Sequence, residues 1–268
     1  MTKYYTRACN FYYGNNAKLL IKKKLALPLC GNKTIAFDKV EVITRKDNKV
    51  LSKTIDLKKI STLGISCRKK VKEDLKKIVF KRKNFLKNIN FLKPSIMGIL
   101  NLTPDSFSDG GRFNNKKKAQ KHIFNMIKNG ANIIDVGGES TRPGSKAVLK
   151  NIEWKRIGNI VKNFKKKHKK ICLSIDTRKS EVMIKAINYR ADLINDVSGF
   201  NYDSLSLSRL KKYNIAKVLH HMQGTPNTMQ KNPKYKNVLL DIYDFFEKTI
   251  KKIDNKKIVI DPGIGFGK

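Results

Sequence analysis

Six apolar stretches of this chain each end in side chains able to do chemistry: Asn101, Asp135, Asp176, Asn195 with Asp196, His220 with His221, and Asp261. A carboxylate accepts two adjacent N–H donors side by side, and Asp176 and Asp261 stand where they can do so. Asn195 offers a donor and an acceptor together. Two loops are denser still. Residues 101–111 carry Asn101, Thr103, Pro104, Asp105, Ser106, Ser108, Asp109, Gly110 and Gly111. Residues 137–145 join Gly137 and Gly138 to Ser140, Thr141, Arg142, Pro143 and Gly144. Freed backbone, hydroxyls and a guanidinium in one loop suit an oxyanion; a structural arginine on a rim is the plainer alternative. Asp196 is read as a cap of the following turn. Adjacent strand residues face opposite ways, so one of His220 and His221 points inward, and neither is assigned a catalytic role. Two tempting patterns fail. GIGFGK lacks the first glycine of a P-loop because Pro262 stands there, and VGGEST has no dinucleotide spacing.

The elements that must position these residues alternate. Strands are expected at Ser95–Leu100, Asn132–Val136, Ile171–Ile175, Leu193–Asp196, Ala216–His220 and Lys257–Ile260. Each is short and apolar without clear alternation, as in a parallel sheet buried on both faces. Amphipathic helices are expected at 116–129, 150–167, 179–190, 203–213 and 237–252. A doubly wound sheet gathers its chemistry at one switch point. Here every strand ends in a polar residue, which favours a (β/α)8 TIM barrel with its site at the C-terminal face. Six βα units are visible. Two more, roughly 60 residues, are expected for closure, so the chain reads as truncated at its C-terminus or closed by something else. Residues 1–93 read as a small α/β appendage, with a strand at 35–44, an ambiguous 60–75 and a basic helix at 70–88. The barrel domain is placed at 94–268.

The chain has 268 residues, 40% of them hydrophobic, with no apolar run near 18 and no apolar leader. That predicts a soluble, cytoplasmic protein with no membrane partner. Cys9, Cys30, Cys67 and Cys172 form no C-x-x-C pair, which argues against a zinc site or a disulfide framework. The formal charge is +38. Such a balance usually marks a nucleic-acid partner, but the lysines are scattered in short runs among abundant Asn and Ile. No specific nucleic-acid partner is expected.

MGILNLTPDSFSDGGRF at 97–113 and IIDVGGESTRPGS at 133–145 closely resemble the two signatures of the dihydropteroate synthase family. SIDTRKSEV at 174–182, INDVSGF at 194–200, HMQGTPNTMQ at 221–230 and VIDPGIGFGK at 259–268 follow in the family's order. The resemblance covers 94–268. It implies condensation of 6-hydroxymethyl-7,8-dihydropterin diphosphate with p-aminobenzoate, releasing pyrophosphate in folate biosynthesis. It implies that Asp176, Asn195 and Asp261 line the pterin pocket. It further implies that Thr141, Arg142 and Pro143 lie near pyrophosphate and aminobenzoate, that Phe107 helps enclose the aminobenzoate, that Phe266 adds an aromatic wall, and that Asn101 contacts Mg²⁺. Asp109 faces charge building on the pterin methylene, and Asp109 and Arg142 are the catalytic pair. A homodimer is implied for the full-length protein. The family's Ser-Arg-Lys and Arg-x-His segments are not found after Asp261. The alternatives are a corrinoid-type pterin methyltransferase, which would lack the two signature loops, and a non-catalytic pterin-binding or basic interaction protein.

Overall fold

The computed structural model describes residues 2–47, 49–103, 116–140, 147–253 and 257–268. The chain divides into two compact units, Met1–Lys83 and Asn84–Lys268.

The first unit is an antiparallel sheet with two helices. β1 (Lys3–Tyr13) pairs with β3 (Asn32–Lys46) from Ile35 to Arg45. The other edge of β3 takes β2 (Leu27–Leu29) and then β4 (Lys49–Asp56). Phe37, Val40, Val42 and Ile55 pack with Val71 and Leu75 of α2 (Ile65–Val79). Ala36 packs with Ala17 of α1 (Gly14–Lys22). The basic helix expected at 70–88 thus lies earlier. Its apolar positions Val71, Leu75 and Ile78 belong to the same core, and the helix ends where Lys81, Arg82 and Lys83 remove the apolar face.

The second unit carries the expected alternation. β5 (Ile96–Asn101), β6 (Ala131–Gly137), β7 (Cys172–Asp176), β8 (Leu193–Asp196), β9 (Ala216–His220) and β10 (Ile258–Asp261) form one parallel sheet in chain order. Between them lie α3 (Lys116–Lys128), α4 (Lys150–Lys167), α5 (Ser180–Asn188), α6 (Ser206–Leu210) and α7 (Val238–Lys251). Chain-order neighbours with no reversal distinguish barrel-type winding from a doubly wound sheet. These six strands and the five helices between them are arranged as in a (β/α)8 barrel fold.

The two sheet faces differ. Leu100, Ile134, Val136, Leu173, Ile175, Ile194 and Leu219 meet the helices in the larger core. The alternate positions Ile133, Cys172, Leu193, Ala216 and Val218 form an inner cluster with Leu86 and Ile89. This moves the expected domain boundary from 93/94 to 83/84. Residues 84–93 are too polar to read as an element, yet Leu86 and Ile89 are buried under the inner face.

Candidate functional site

Strand alternation carries the inner face from its apolar floor to a polar top. Above Ile133 and Cys172 come Asp135 and Ser174, level with Leu193; above those come Gly137, Asp176 and Asn195. Asn101, Gly137, Asp176 and Asn195 stand side by side across four adjacent strands. Asp261 pairs with His220 across β10 and β9. Of the expected pocket residues, Asn101, Asp176, Asn195 and Asp261 therefore share one face at one end of the sheet. Phe266 follows β10 and packs edge-on against His220, ring centroids 4.7 Å apart. Asp109, Phe107, Thr141, Arg142 and Pro143 lie outside the described residues.

Gly137 shows why this row is close-packed. A methyl group there would lie 3.1 Å from Asp176 Oδ2 and 3.3 Å from Asn101 Oδ1. Both oxygens lean over the glycine. One amide and one carboxylate oxygen form a hard set, which suits Mg²⁺ only if substrate oxygens and water complete the shell. Among the described residues no three His, Cys, Asp or Glu side chains gather to hold a metal. The fit is to a metal shared with substrate.

From this row Asn195 Nδ2 donates to Asp135 Oδ2, one step lower, at 2.9 Å. This bond fixes the amide, and Asn195 Oδ1 remains a buried acceptor with no partner among the described residues. Burial pushes the Asp135 carboxyl up, against the opposing pull of Ser174 and Asn195. Asp176 is held well above the usual carboxylate range, first by burial and then by the charges of Asp135, Glu153, Asp196 and Glu139. The inner mouth is thus an acceptor-rich cluster that resists holding several negative charges at once.

Asp196 takes the opposite face of β8 and caps the next turn. Its Oδ1 accepts Ser198 N at 2.8 Å and Ser198 Oγ at 2.6 Å. His220 and His221 are both buried. His220 shares the inner face with Val218, and its Nδ1 lies 2.8 Å from the Val197 carbonyl. A carbonyl only accepts, so Nδ1 carries the proton and Nε2 is left as an acceptor in the neutral ring. Burial lowers its pKa, and Asp261 opposes that.

Sequence reading missed a charged cluster beside the site. Glu139 Oε2 accepts Arg178 Nη2 at 2.9 Å and Nε at 3.1 Å. Lys179 Nζ lies 2.9 Å from Glu139 Oε1 and 2.7 Å from Glu153 Oε2. The Arg178 guanidinium stacks on Tyr202 at 4.1 Å. The signal was faint: a carboxylate inside GGEST and two cations inside DTRK, with Glu153 on a distant helix.

A family profile described as "Pterin binding enzyme" matches residues 97–268. A dihydropteroate synthase of Clostridium beijerinckii is 46% identical over 178 residues, 65% of this chain and 63% of that protein. Among solved structures, the Yersinia pestis dihydropteroate synthase in a sulfonamide complex superposes with a TM-score of 0.63 at 39% identity, covering 67% of this chain and 66% of that one. The Xanthomonas albilineans dihydropteroate synthase with 4-aminobenzoic acid gives 0.59 at 36% identity, covering 66% and 63%. The chain spans a little under two thirds of the length of these relatives. With the profile covering most of the chain and the strand-end acceptors on one face, the chain belongs to the pterin binding enzyme family.

Proposed function

We propose that the second unit is the pterin-binding part of a dihydropteroate synthase, joining 6-hydroxymethyl-7,8-dihydropterin diphosphate to p-aminobenzoate with release of pyrophosphate. The observation that carries this is Asp176 and Asn195 side by side on the inner face, with Asp261 one step further along on β10 and Asn195 Oδ1 buried without a partner among the described residues. A dihydropterin is flat and presents ring N–H and amino donors along one edge. A row of acceptors between strands complements that edge.

In this reading Asp176 and Asp261 accept the ring donors, Asn195 completes the edge, and Phe266 walls the pocket. The carbon–oxygen bond to the diphosphate breaks, positive charge builds on the methylene, and the aminobenzoate nitrogen then closes the new bond and sheds a proton. Asp109 faces that charge. Thr141 and Arg142 hold oxyanions, Pro143 shapes their loop, and Phe107 and Pro104 enclose the second substrate. Asn101 would hold Mg²⁺, which when bound neutralises diphosphate charge. An electrostatic contact to a leaving group of this kind is worth on the order of 10²–10³ in rate. The same reading places the protein in the cytoplasm, with unpaired thiols at all four cysteines, and as a homodimer. No helix among the described residues is long and apolar enough to cross a membrane.

Calorimetry with the pterin diphosphate tests the pocket. Asp176→Asn should lose about 2–4 kcal/mol of binding, because a charge-assisted acceptor of two donors becomes a mixed donor and acceptor. A folded chain that ignores the pterin diphosphate, or an Asp176→Asn variant with unchanged affinity, sinks the assignment. Pyrophosphate release with p-aminobenzoate separates the synthase from a methyltransferase or a pterin carrier.

A further inference from the structure

We propose that Glu139 is a positioning residue: it pins both ends of the loop bearing Thr141, Arg142 and Pro143 to the segment after β7, and so sets where that loop meets the second substrate. The proposal rests on the synthase reading above. Glu139 opens the loop, two residues past β6, and Val148 closes it. The Val148 N–H donates to Glu139 Oε1 at 2.9 Å, so one carboxylate joins the two ends. Its other oxygen takes the Arg178 fork, and Lys179 bridges it to Glu153 of α4. Arg178 stands two residues past Asp176, the centre of the pocket row. The clamp therefore references the loop to the strand that holds the pterin.

Three observations favour positioning over simple stabilisation. Glu139 is 4% exposed and Glu153 fully buried, so four charges have been taken out of water at this one place. Buried ion clusters add little net stability compared with apolar packing, and their best-attested use is to fix one arrangement. The Val148 N–H is tied to Glu139 where Leu149, the residue before α4, gives the helix no side-chain cap. Finally, burial raises the Glu139 pKa, but the Val148 N–H, Lys179 and Arg178 outweigh it and hold the carboxyl below its usual range. The clamp stays charged across the neutral range.

Two measurements on the whole chain test this. Amide hydrogen exchange at Val148 should speed at least about tenfold in Glu139→Ala, while β6 and β7 amides stay protected. In the same variant the KM for p-aminobenzoate should rise about tenfold and kcat fall, with the pterin diphosphate Kd within about twofold, because orientation of one reactant is lost. Glu139→Gln keeps an acceptor for Val148 but gives up the ion pairs, and should fall between on both measures. Unchanged Val148 exchange in Glu139→Ala overturns the clamp whatever the activity. Faster exchange with both KM values unchanged, and kcat falling only with the folded fraction, reduces Glu139 to a structural role and overturns the proposal. A wild-type chain that protects Val148 through Glu139 yet releases no pyrophosphate overturns the synthase reading, and the positioning role with it.

Discussion

Asp196 and Asn195 are neighbours on β8 with opposite tasks, and their chemistry can be read separately. The Asp196 carboxyl is pushed up to about 6, chiefly by burial, against the Ser198 donors and the Arg178 charge. An unfolded aspartate ionises near pH 4. Between about pH 4 and 6 the unfolded chain gives up a proton that the folded chain keeps, so stability falls as pH rises through that window. Above it the cost is on the order of 2–3 kcal/mol. Asp196→Asn keeps an oxygen for Ser198 and should stabilise the protein at pH 7–8, with the gain gone below about pH 4. Urea titrations at several pH values check this; a difference independent of pH means that Asp196 ionises freely in the fold. On the inner face, Asp135 orients Asn195. Asp135→Ala should weaken pterin binding by about 1–2 kcal/mol through the freed amide, and calorimetry would read it. The shared face of Asp176, Asn195 and Asp261 and the Asp196 cap were legible because each of these residues ends an apolar run. Asp135 and Glu139 were not assigned roles, because each depends on a partner 60 or 39 positions away.

Strand ends matter here through their turns, and Gly263 is the sharpest case. It follows β10 with φ +66°, and a methyl group there would lie 2.1 Å from the His221 carbonyl oxygen. Asp261 Oδ1 accepts the Gly263 N–H at 2.8 Å. Gly263→Ala should therefore cost on the order of 2–4 kcal/mol and displace Asp261 and Phe266 together. A melting temperature within a degree or two of wild type would show that this turn gives way freely. Arg142→Ala is expected to do the reverse, lowering turnover with little change in melting, as for a side chain whose work is with ligand; a steep melting loss with the rate intact would make it structural. All six strands of the second unit were legible to within one residue at either end, since buried parallel strands are short apolar runs between polar loops. Helices were less so: the one expected at 203–213 is only Ser206–Leu210, because Asp203 instead receives the Ser180 and Leu205 N–H groups. In the first unit β1 and β4 were not foreseen. β4 is an edge strand whose first six residues are all exposed, so no apolar pattern marks it.

At the scale of the molecule, a strongly positive net charge contrasts with the carboxylates gathered at or beside the second unit's inner face. Lys and Arg number 59 against 21 Asp and Glu. Five carboxylates, Asp135, Glu139, Glu153, Asp176 and Asp196, are concentrated at or beside the pocket, and four of the five are almost fully buried. The two charge systems act at different ranges. Buried pairs such as Lys179–Glu153 are little screened, whereas solvent-exposed lysines act only within about a Debye length, ~8 Å at physiological salt. The surface charge should therefore raise the rate at which an anionic substrate arrives without deciding what binds. Nucleic acid, a far larger polyanion, should bind at low salt through counterion release alone. Its affinity should collapse between about 50 and 200 mM salt, without preference among sequences. Over the same range the association rate of the pterin diphosphate should fall, while its dissociation rate, set by the inner acceptors, stays nearly constant. Filter binding with random duplexes and stopped-flow with the pterin diphosphate read the two effects on one preparation. Tight, sequence-selective nucleic-acid binding that survives 200 mM salt would show that the lysines form a recognition surface, and would favour a basic interaction protein over an enzyme whose charge only steers.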